Sequence, residues 1–171
     1  DVMKNVMMPA MARGAHVRVE QRLLDMAKFA DTEAVEMGIN TVEYNDTKIG
    51  IIAAGTSYVY AHEAMGEKAS YLKLGMVNPL PRKLIEEFIG SVETVYVFEE
   101  LEPVIEEQVK SWGLNVKGKE LFTKQGEYSA NMLRGVLYGE NACVFEKAQA
   151  PARPPILCPG CPHRSTFSVL N

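Results

Sequence analysis

Three short apolar segments alternate with three amphipathic segments between residues 48 and 118, and this alternation restricts the possible folds more than any other feature of the chain. Residues 49–55 are apolar throughout, as a strand covered on both faces must be. Residues 69–77 and 94–98 are the next two strand candidates, and the last of them is rich in β-branched and aromatic residues. Strands that alternate with helices predict a parallel sheet with helices on both faces. We therefore expect a three-layer α/β/α domain with a mostly parallel sheet.

Local signals predict where the helices of this domain begin and end. Thr56 or Ser57 can cap a helix that follows the first strand and ends at Gly66. Pro103 suits the first turn of the helix that follows the third strand.

The pattern divides the chain into four parts. Residues 46–146 form the predicted α/β domain, and residues 1–45 form a helical connecting segment that enters it. Residues 147–157 are rich in proline and alanine and are typical of a linker. Residues 158–171 are then the beginning of another unit.

The connecting segment carries an apolar stripe at helical spacing. Val19, Leu23, Met26 and Ala30 recur every three or four residues. We expect this helix to lie along another surface.

Composition excludes several classes of function. The chain has 171 residues, a formal charge of −4 and a pI of about 5.5, which argues against a nucleic-acid-binding protein. No apolar run reaches the length that spans a membrane, and no signal peptide opens the sequence. We expect a cytoplasmic location.

Five glutamates follow the third predicted strand, and we call them the acidic cluster. Its members are Glu99, Glu100, Glu102, Glu106 and Glu107. Ligands of open α/β sheets bind beyond the carboxyl ends of the strands, so paired acids there could act in acid/base chemistry. Acids near a helix N-terminus also favour the helix dipole, and Glu106 can pair with Lys110. We favour a structural or interface role.

Two other candidates are weaker. A strand that ends in Gly55 before Thr56 and Ser57 could bind phosphate through backbone amides, but a tight turn with a helix cap explains the same residues. His62 lies inside the predicted helix as a packed or surface residue, and His16 receives no role.

The C-terminal part carries two cysteines and a histidine, Cys158, Cys161 and His163. A zinc site would recruit Cys143 as a fourth ligand, and an iron–sulfur site would need further ligands from outside the chain. A thioredoxin-type redox pair would need a helix start inside a complete fold. A loop with two idle thiols is the fourth interpretation, and the residues alone leave all four open.

Five unlike motifs then occur in a fixed order along nearly the whole chain. They lie within residues 49–58, 72–81, 97–103, 118–127 and 157–164. This ordered set resembles the middle of the large (alpha) subunit of indolepyruvate ferredoxin oxidoreductase. The resemblance implies that the chain is an internal fragment, that residues 46–146 are a transketolase C-terminal-like domain, and that residues 158–171 are the truncated start of a pyrophosphate-binding domain.

The resemblance also implies an activity. Proteins of this family are thiamine-diphosphate enzymes that oxidatively decarboxylate aryl 2-oxo acids to acyl-CoA and pass electrons through iron–sulfur clusters to ferredoxin. The complete enzyme would then use thiamine diphosphate, magnesium and 4Fe–4S clusters. Its partners would be other domains of the same subunit, a small subunit of the beta or gamma type, ferredoxin and CoA.

The family's catalytic residues do not map onto this chain. The glutamate that activates thiamine lies upstream in the family, and the Gly-Asp-Gly motif that holds magnesium and pyrophosphate lies downstream. The resemblance therefore implies no catalytic residue and no bound cofactor in the fragment itself. Glu99, Glu100 and Glu102 match the middle domain's own motif and are predicted interface residues. Cys158 and Cys161 align with cluster thiolates of related 2-oxoacid oxidoreductases, with Pro162 where those relatives have glycine.

Two other classes of protein compete with this interpretation. One is a standalone nucleotide- or CoA-binding α/β module with a zinc clip at its C-terminal end, which would need a complete phosphate loop. The other is a scaffold or dimerisation domain, which merges with the favoured interpretation because the middle domain supplies packing surface more than chemistry.

Overall fold

The computed structural model describes residues 8–139 and 156–170 of the chain. The strands of these residues are β1 (Thr41–Glu43), β2 (Ile49–Ala54), β3 (Ser70–Leu74) and β4 (Thr94–Phe98). Their α-helices are α1 (Pro9–Asp31), α2 (Glu33–Glu36), α3 (Gly55–Met65), α4 (Arg82–Gly90), α5 (Val104–Ser111), α6 (Ala130–Tyr138) and α7 (His163–Leu170). The predicted α/β class is confirmed.

The four strands form one sheet in the order β1-β3-β2-β4. The central strand β2 pairs in parallel with both neighbours, so that Ile51 lies opposite Tyr71 of β3 and Tyr96 of β4. β1 adds an antiparallel edge, with Val42 opposite Leu72. The mostly parallel sheet is therefore confirmed, whereas the edge strand β1 was not predicted.

Helices cover both faces of the sheet, because successive side chains of a strand point to opposite faces. Ile52 and Val97 pack into a layer with α4 and α5. Ile51 and Phe98 pack into the opposite layer with α3 and α6. All four side chains are almost completely buried, which explains why the strand segments are continuously apolar rather than alternating.

The start of α3 differs from the sequence prediction. The helix begins at Gly55, and neither Thr56 nor Ser57 supplies a capping side chain. Ser57 instead lies inside the helix and is buried. The predicted helix end at Gly66 is confirmed.

The described part of the connecting segment, from residue 8 onward, makes its hydrogen bonds to the domain near its C-terminal end. Asn40 donates from Nδ2 to the Ala30 carbonyl (3.0 Å), and its Oδ1 accepts from the backbone N–H groups of Gly75 (3.0 Å) and Met76 (3.1 Å). Of the 23 residues of α1, only Ala30 is buried. The predicted apolar stripe is thus present on α1, but most of it is exposed in the described part of the chain.

The predicted domain boundaries remain predictions. β1 joins the sheet although it precedes residue 46, and the boundary at 146 lies outside the described residues, as does most of the predicted linker. None of the helices within residues 8–139 and 156–170 combines the length and the apolar character that crossing a membrane requires.

Candidate functional site

The carboxyl edge of the sheet carries Glu99, the first residue after β4. Its carboxylate accepts hydrogen bonds from the backbone N–H groups of Ile105 (2.9 Å) and Glu106 (3.0 Å). These N–H groups belong to the first turn of α5, where no carbonyl of the helix is available to accept them. Glu99 therefore caps α5, a role that the preceding Pro103 cannot perform with its own side chain.

Burial affects the ionisation of this carboxyl. Glu99 is 8% exposed. Loss of solvent raises the pKa of Glu99, and the two backbone donors and the Lys119 ammonium oppose this shift without cancelling it. A raised pKa is a common property of catalytic acids. Here, however, both carboxylate oxygens are already bound to the helix.

Glu106 is the second buried member of the acidic cluster and is 5% exposed. Its Oε1 accepts from Lys110 Nζ (2.6 Å), and its Oε2 accepts from the backbone N–H of Lys119 (2.8 Å). A Cβ at Gly118 would overlap this carboxylate, so a larger residue there would displace the Glu106 side chain from this position. Glu106 therefore fastens residues 118–119 against α5.

Lys119 extends the same network. Its ammonium donates to the backbone carbonyl of Glu99 and to the Tyr128 hydroxyl (2.8 Å), which itself donates to the Thr123 carbonyl (2.6 Å). Burial lowers the pKa of Lys119, with the nearby carboxylates of Glu99 and Glu106 opposing the shift. Burial also raises the pKa of Tyr128 to about 12, so the phenol is a hydrogen-bond donor at neutral pH.

The remaining acids of the cluster lie closer to solvent. Glu100 Oε1 accepts from the backbone N–H of Tyr128 (2.8 Å), and Glu102 pairs with Lys124 (3.0 Å) at the surface. Glu107 is exposed. The acidic cluster thus joins β4 and α5 to residues 118–128. This supports the structural interpretation over acid/base chemistry.

A second polar group of residues links α3 to the edge strand. His62 Nε2 lies 3.4 Å from Glu43 Oε2, and the His62 ring lies 5.1 Å from the Tyr71 ring. Burial, followed by the Glu43 carboxylate, raises the pKa of Tyr58, whose ring also faces Lys73 Nζ (5.3 Å). The residue pattern did not predict this arrangement, because Glu43 belongs to the unpredicted strand β1. The contact between His62 and Glu43 links α3 to β1 at the edge of the sheet.

His16 and the phosphate-loop candidate show no comparable grouping. His16 contacts Glu20 (3.0 Å) on the exposed surface of α1. Gly55 and Thr56 are exposed at the start of α3. A helix start with one glycine is better explained by the strand-to-helix turn than by an anion site.

An open groove of about 520 Å³ lies beside the loop between β3 and α4. Arg82 stands over the Trp112 ring, 5.3 Å from its centroid, at one side of the groove. The lining residues are Ala27, Val77, Asn78, Pro79, Leu80, Arg82, Val104, Gln108 and Trp112. None of them is a carboxylate, a histidine or a cysteine, so the groove offers surface for contact rather than groups for catalysis.

The two C-terminal cysteines lie at the start of α7. Cys158 is exposed, Cys161 is half-buried, and Cys161 Sγ is 3.3 Å from His163 Nδ1. Within residues 8–139 and 156–170, no three or more histidine, cysteine, aspartate or glutamate side chains come together as a metal site would require. Cys143, the fourth ligand of the predicted zinc clip, lies outside the described residues.

The sequence is similar to curated relatives from archaea. It is 40% identical over 149 residues to indolepyruvate oxidoreductase subunit IorA of Pyrococcus abyssi, covering 74% of this chain and 23% of that protein. It is 33% identical over 200 residues to the IorA subunit of Thermococcus kodakarensis, covering 100% of this chain and 30% of that protein. The chain therefore spans roughly a quarter of the length of these relatives. No family model matches the chain.

A solved structure supports the fold. A 2-oxoglutarate:ferredoxin oxidoreductase from Magnetococcus marinus, with 2-oxoglutarate, coenzyme A and succinyl-CoA bound, superposes with a TM-score of 0.54 at 16% identity. The match covers 75% of this chain and 23% of that one. At this identity the likeness concerns the α/β fold. The sequence similarity to IorA confirms the predicted resemblance to the large subunit of indolepyruvate ferredoxin oxidoreductase.

Proposed function

We propose that this chain, a relative of one segment of the IorA subunits, forms the non-catalytic middle part of an indolepyruvate:ferredoxin oxidoreductase. The complete enzyme would oxidatively decarboxylate aryl 2-oxo acids to acyl-CoA with thiamine diphosphate and magnesium. Electrons would pass through 4Fe–4S clusters to ferredoxin. The similarity to IorA over 74–100% of the chain supports this proposal most strongly.

The chemistry of the carboxyl edge supports the non-catalytic role. Glu99 and Glu106 are the buried acids there. Two backbone N–H groups hold the Glu99 carboxylate, and one backbone N–H and the Lys110 ammonium hold the Glu106 carboxylate. A general acid or base needs an atom within hydrogen-bond reach of a substrate. The carboxylates of Glu99 and Glu106 therefore do not fit thiamine diphosphate and magnesium, and we assign no catalytic step to them.

Exposed apolar surface supports a packing role instead. The stripe on α1 and the open groove beside Trp112 present apolar side chains to solvent. We infer that other domains of the same subunit, and the small subunit, cover these surfaces. Glu102 is exposed and can contribute directly to such an interface, whereas Glu99 contributes by holding α5 in place.

The cysteines have a separate role in this proposal. Cys158 and Cys161 would be iron–sulfur ligands in the longer subunit, since thiolates are the ligands that such clusters prefer. A 4Fe–4S cluster needs four thiolates. The remaining ligands would therefore come from outside this chain.

Calorimetric titration tests the non-catalytic role directly. We expect no saturable heat when thiamine diphosphate and magnesium are added to the chain at micromolar concentration. The P. abyssi IorA protein is the positive control. Saturable binding to this chain would show that it carries a cofactor site and would contradict the proposal.

A chimeric enzyme tests the family role. We would replace the matched segment of P. abyssi IorA with this chain and measure indolepyruvate-dependent reduction of ferredoxin. Activity should be retained in the chimera and lost when the segment is deleted. A chimera that folds and holds its cofactors but does not turn over would argue against the proposed role.

A further inference from the structure

A tight turn joins Cys158 to Cys161. The backbone N–H of Cys161 donates to the carbonyl of Cys158 (3.0 Å), and Gly160 has a φ of +80°. Proline at the second position and positive φ at the third are the marks of a type II β-turn. Pro159 and Gly160 are the residues best suited to these two positions.

This turn places the two cysteines within reach of each other. The first and fourth residues of a β-turn have Cα atoms less than about 7 Å apart. A disulfide needs a Cα separation of about 4.4–6.8 Å. The turn therefore brings the Cα atoms of the two cysteines near the separation that a disulfide needs before any bond forms.

The helix that follows holds the second cysteine in place. Arg164 N donates to the carbonyl of Cys161 (3.1 Å), so Cys161 is anchored to the start of α7. The ring to be closed contains only four residues, and a short, preorganised ring loses little conformational entropy on closure.

We propose that Cys158 and Cys161, in the chain without a cluster, are a redox modification site that closes to an intrachain disulfide. The oxidant is a low-molecular-weight disulfide such as oxidised glutathione. Cys158 attacks it first, forming a mixed disulfide and releasing one small thiol. Cys161 then attacks the Cys158 sulfur, which forms the protein disulfide and releases the second small thiol. Two protein thiols are oxidised, the small disulfide is reduced, and both protons leave on the released thiols.

The order of attack follows from accessibility. Cys158 is exposed, whereas Cys161 is half-buried and has the His163 ring 3.3 Å from its sulfur. A bulky oxidant therefore meets Cys158 more readily. Cys161 acts as the resolving thiol because the turn holds it beside the adduct.

Equilibration in glutathione redox buffers tests the site. The full chain carrying Cys143→Ser would be quenched with acid, alkylated and analysed by mass spectrometry. We expect a species lighter by two hydrogens, with both cysteines on one peptide protected from alkylation. Cys161→Ser should accumulate one glutathione on Cys158, whereas Cys158→Ser should form its adduct more slowly.

A turn variant separates preorganisation from simple proximity. Alanine at Gly160 would be strained at positive φ, so Gly160→Ala should lower the effective concentration of the two thiols by about ten-fold. Gly126→Ala is the matched control, since Gly126 has a φ of +78° and lies in another part of the chain. It should leave the disulfide equilibrium unchanged.

Several outcomes would overturn the proposal. These are glutathione adducts on both cysteines as the stable product, no oxidation in excess oxidised glutathione, and an unchanged equilibrium in Gly160→Ala. Iron or zinc bound stoichiometrically to the anaerobically purified chain, and lost in Cys158→Ser, would show a metal site instead. None of these results bears on whether the chain replaces the IorA segment in the chimera.

Discussion

The sheet and the terminal helices α1 and α7 bury their apolar residues to very different degrees. In β2, the residues from Gly50 to Ala53 are all buried. In α1 only Ala30 is buried, and in α7 no residue is. The contrast is clearest between Val97 of β4, which is 1% exposed, and Leu24 of α1, which is 66% exposed.

The difference shows what apolar periodicity predicts. It identifies a surface that a helix or strand is able to bury, but it does not say whether the covering partner belongs to the same chain. The sheet finds its partners in α3 to α6, so the domain supplies its own core. The stripe of α1 extends beyond that core, as expected for a segment that packs against other parts of a longer subunit.

The largest expected loss of stability comes from a charge placed in the sheet. Val97→Asp would bury an unpaired carboxylate between β4 and the α4–α5 layer, and should lower the free energy of unfolding by about 4 kcal/mol or prevent folding. Val17→Asp makes the same change at a residue of α1 that is 71% exposed. It should change the free energy of unfolding by less than about 0.5 kcal/mol. Urea unfolding measures both variants, and equal losses would remove the contrast between the two regions.

A smaller loss of stability is expected when the residue that caps α5, Glu99, is replaced. Glu99→Ala leaves the N–H groups of Ile105 and Glu106 without their acceptor and should cost about 2 kcal/mol at pH 7. Glu102→Ala removes an exposed ion pair with Lys124 and should cost less than about 0.5 kcal/mol. If the two alanine variants unfold at the same urea concentration, Glu99 does not act as a cap.

The same cap should depend on pH. Burial raises the pKa of Glu99 in the folded state above its unfolded value. The folded state therefore binds the Glu99 proton more tightly than the unfolded state does. The stability that Glu99 contributes is fully present below its unfolded pKa and is lost as the pH rises through its folded pKa. The difference in unfolding free energy between wild type and Glu99→Ala should therefore shrink from pH 4 to pH 7. A difference that grows with pH would mean that the carboxylate form is favoured instead.

Local residue patterns were sufficient for the parallel strands and most helices. β2, β3 and β4 are apolar because both faces are covered, and that property is visible in the sequence alone. β1 was not visible, because three residues are too few to show a period and its partner Leu72 lies thirty positions away along the chain. Its place is decided by tertiary contacts, including the His62–Glu43 pair.

The roles within the acidic cluster were only partly predictable. The Glu106–Lys110 pair follows from helical spacing and was expected. The contacts of Lys119 with the Glu99 carbonyl and with Tyr128 depend on residues 117–128 returning beside β4, where Lys117 N donates to the Val95 carbonyl (2.9 Å). Sequence spacing carries no information about such a return.

Tyr128→Phe removes the hydroxyl between Lys119 and Thr123 but keeps the ring against Phe98. It should lower the free energy of unfolding by about 1 kcal/mol. Tyr44→Phe removes a hydroxyl from a residue that is 57% exposed and should have no measurable effect. Thermal unfolding of the two variants makes the comparison. If the two variants unfold at the same temperature, the Tyr128 hydroxyl does not support the network.

The smallest effect is expected on the exposed face of α1. Leu24→Gln replaces an exposed apolar side chain by a polar one of similar size, and because both residues form helices well, it should change the free energy of unfolding by less than about 0.5 kcal/mol. Amide hydrogen exchange gives the independent measurement. Amides of residues 9–26 should exchange much earlier than those of β2, since a helix with so little tertiary packing opens without unfolding the sheet. Equal protection in both regions would show that α1 is covered within this chain, and the contrast with the sheet would then fail.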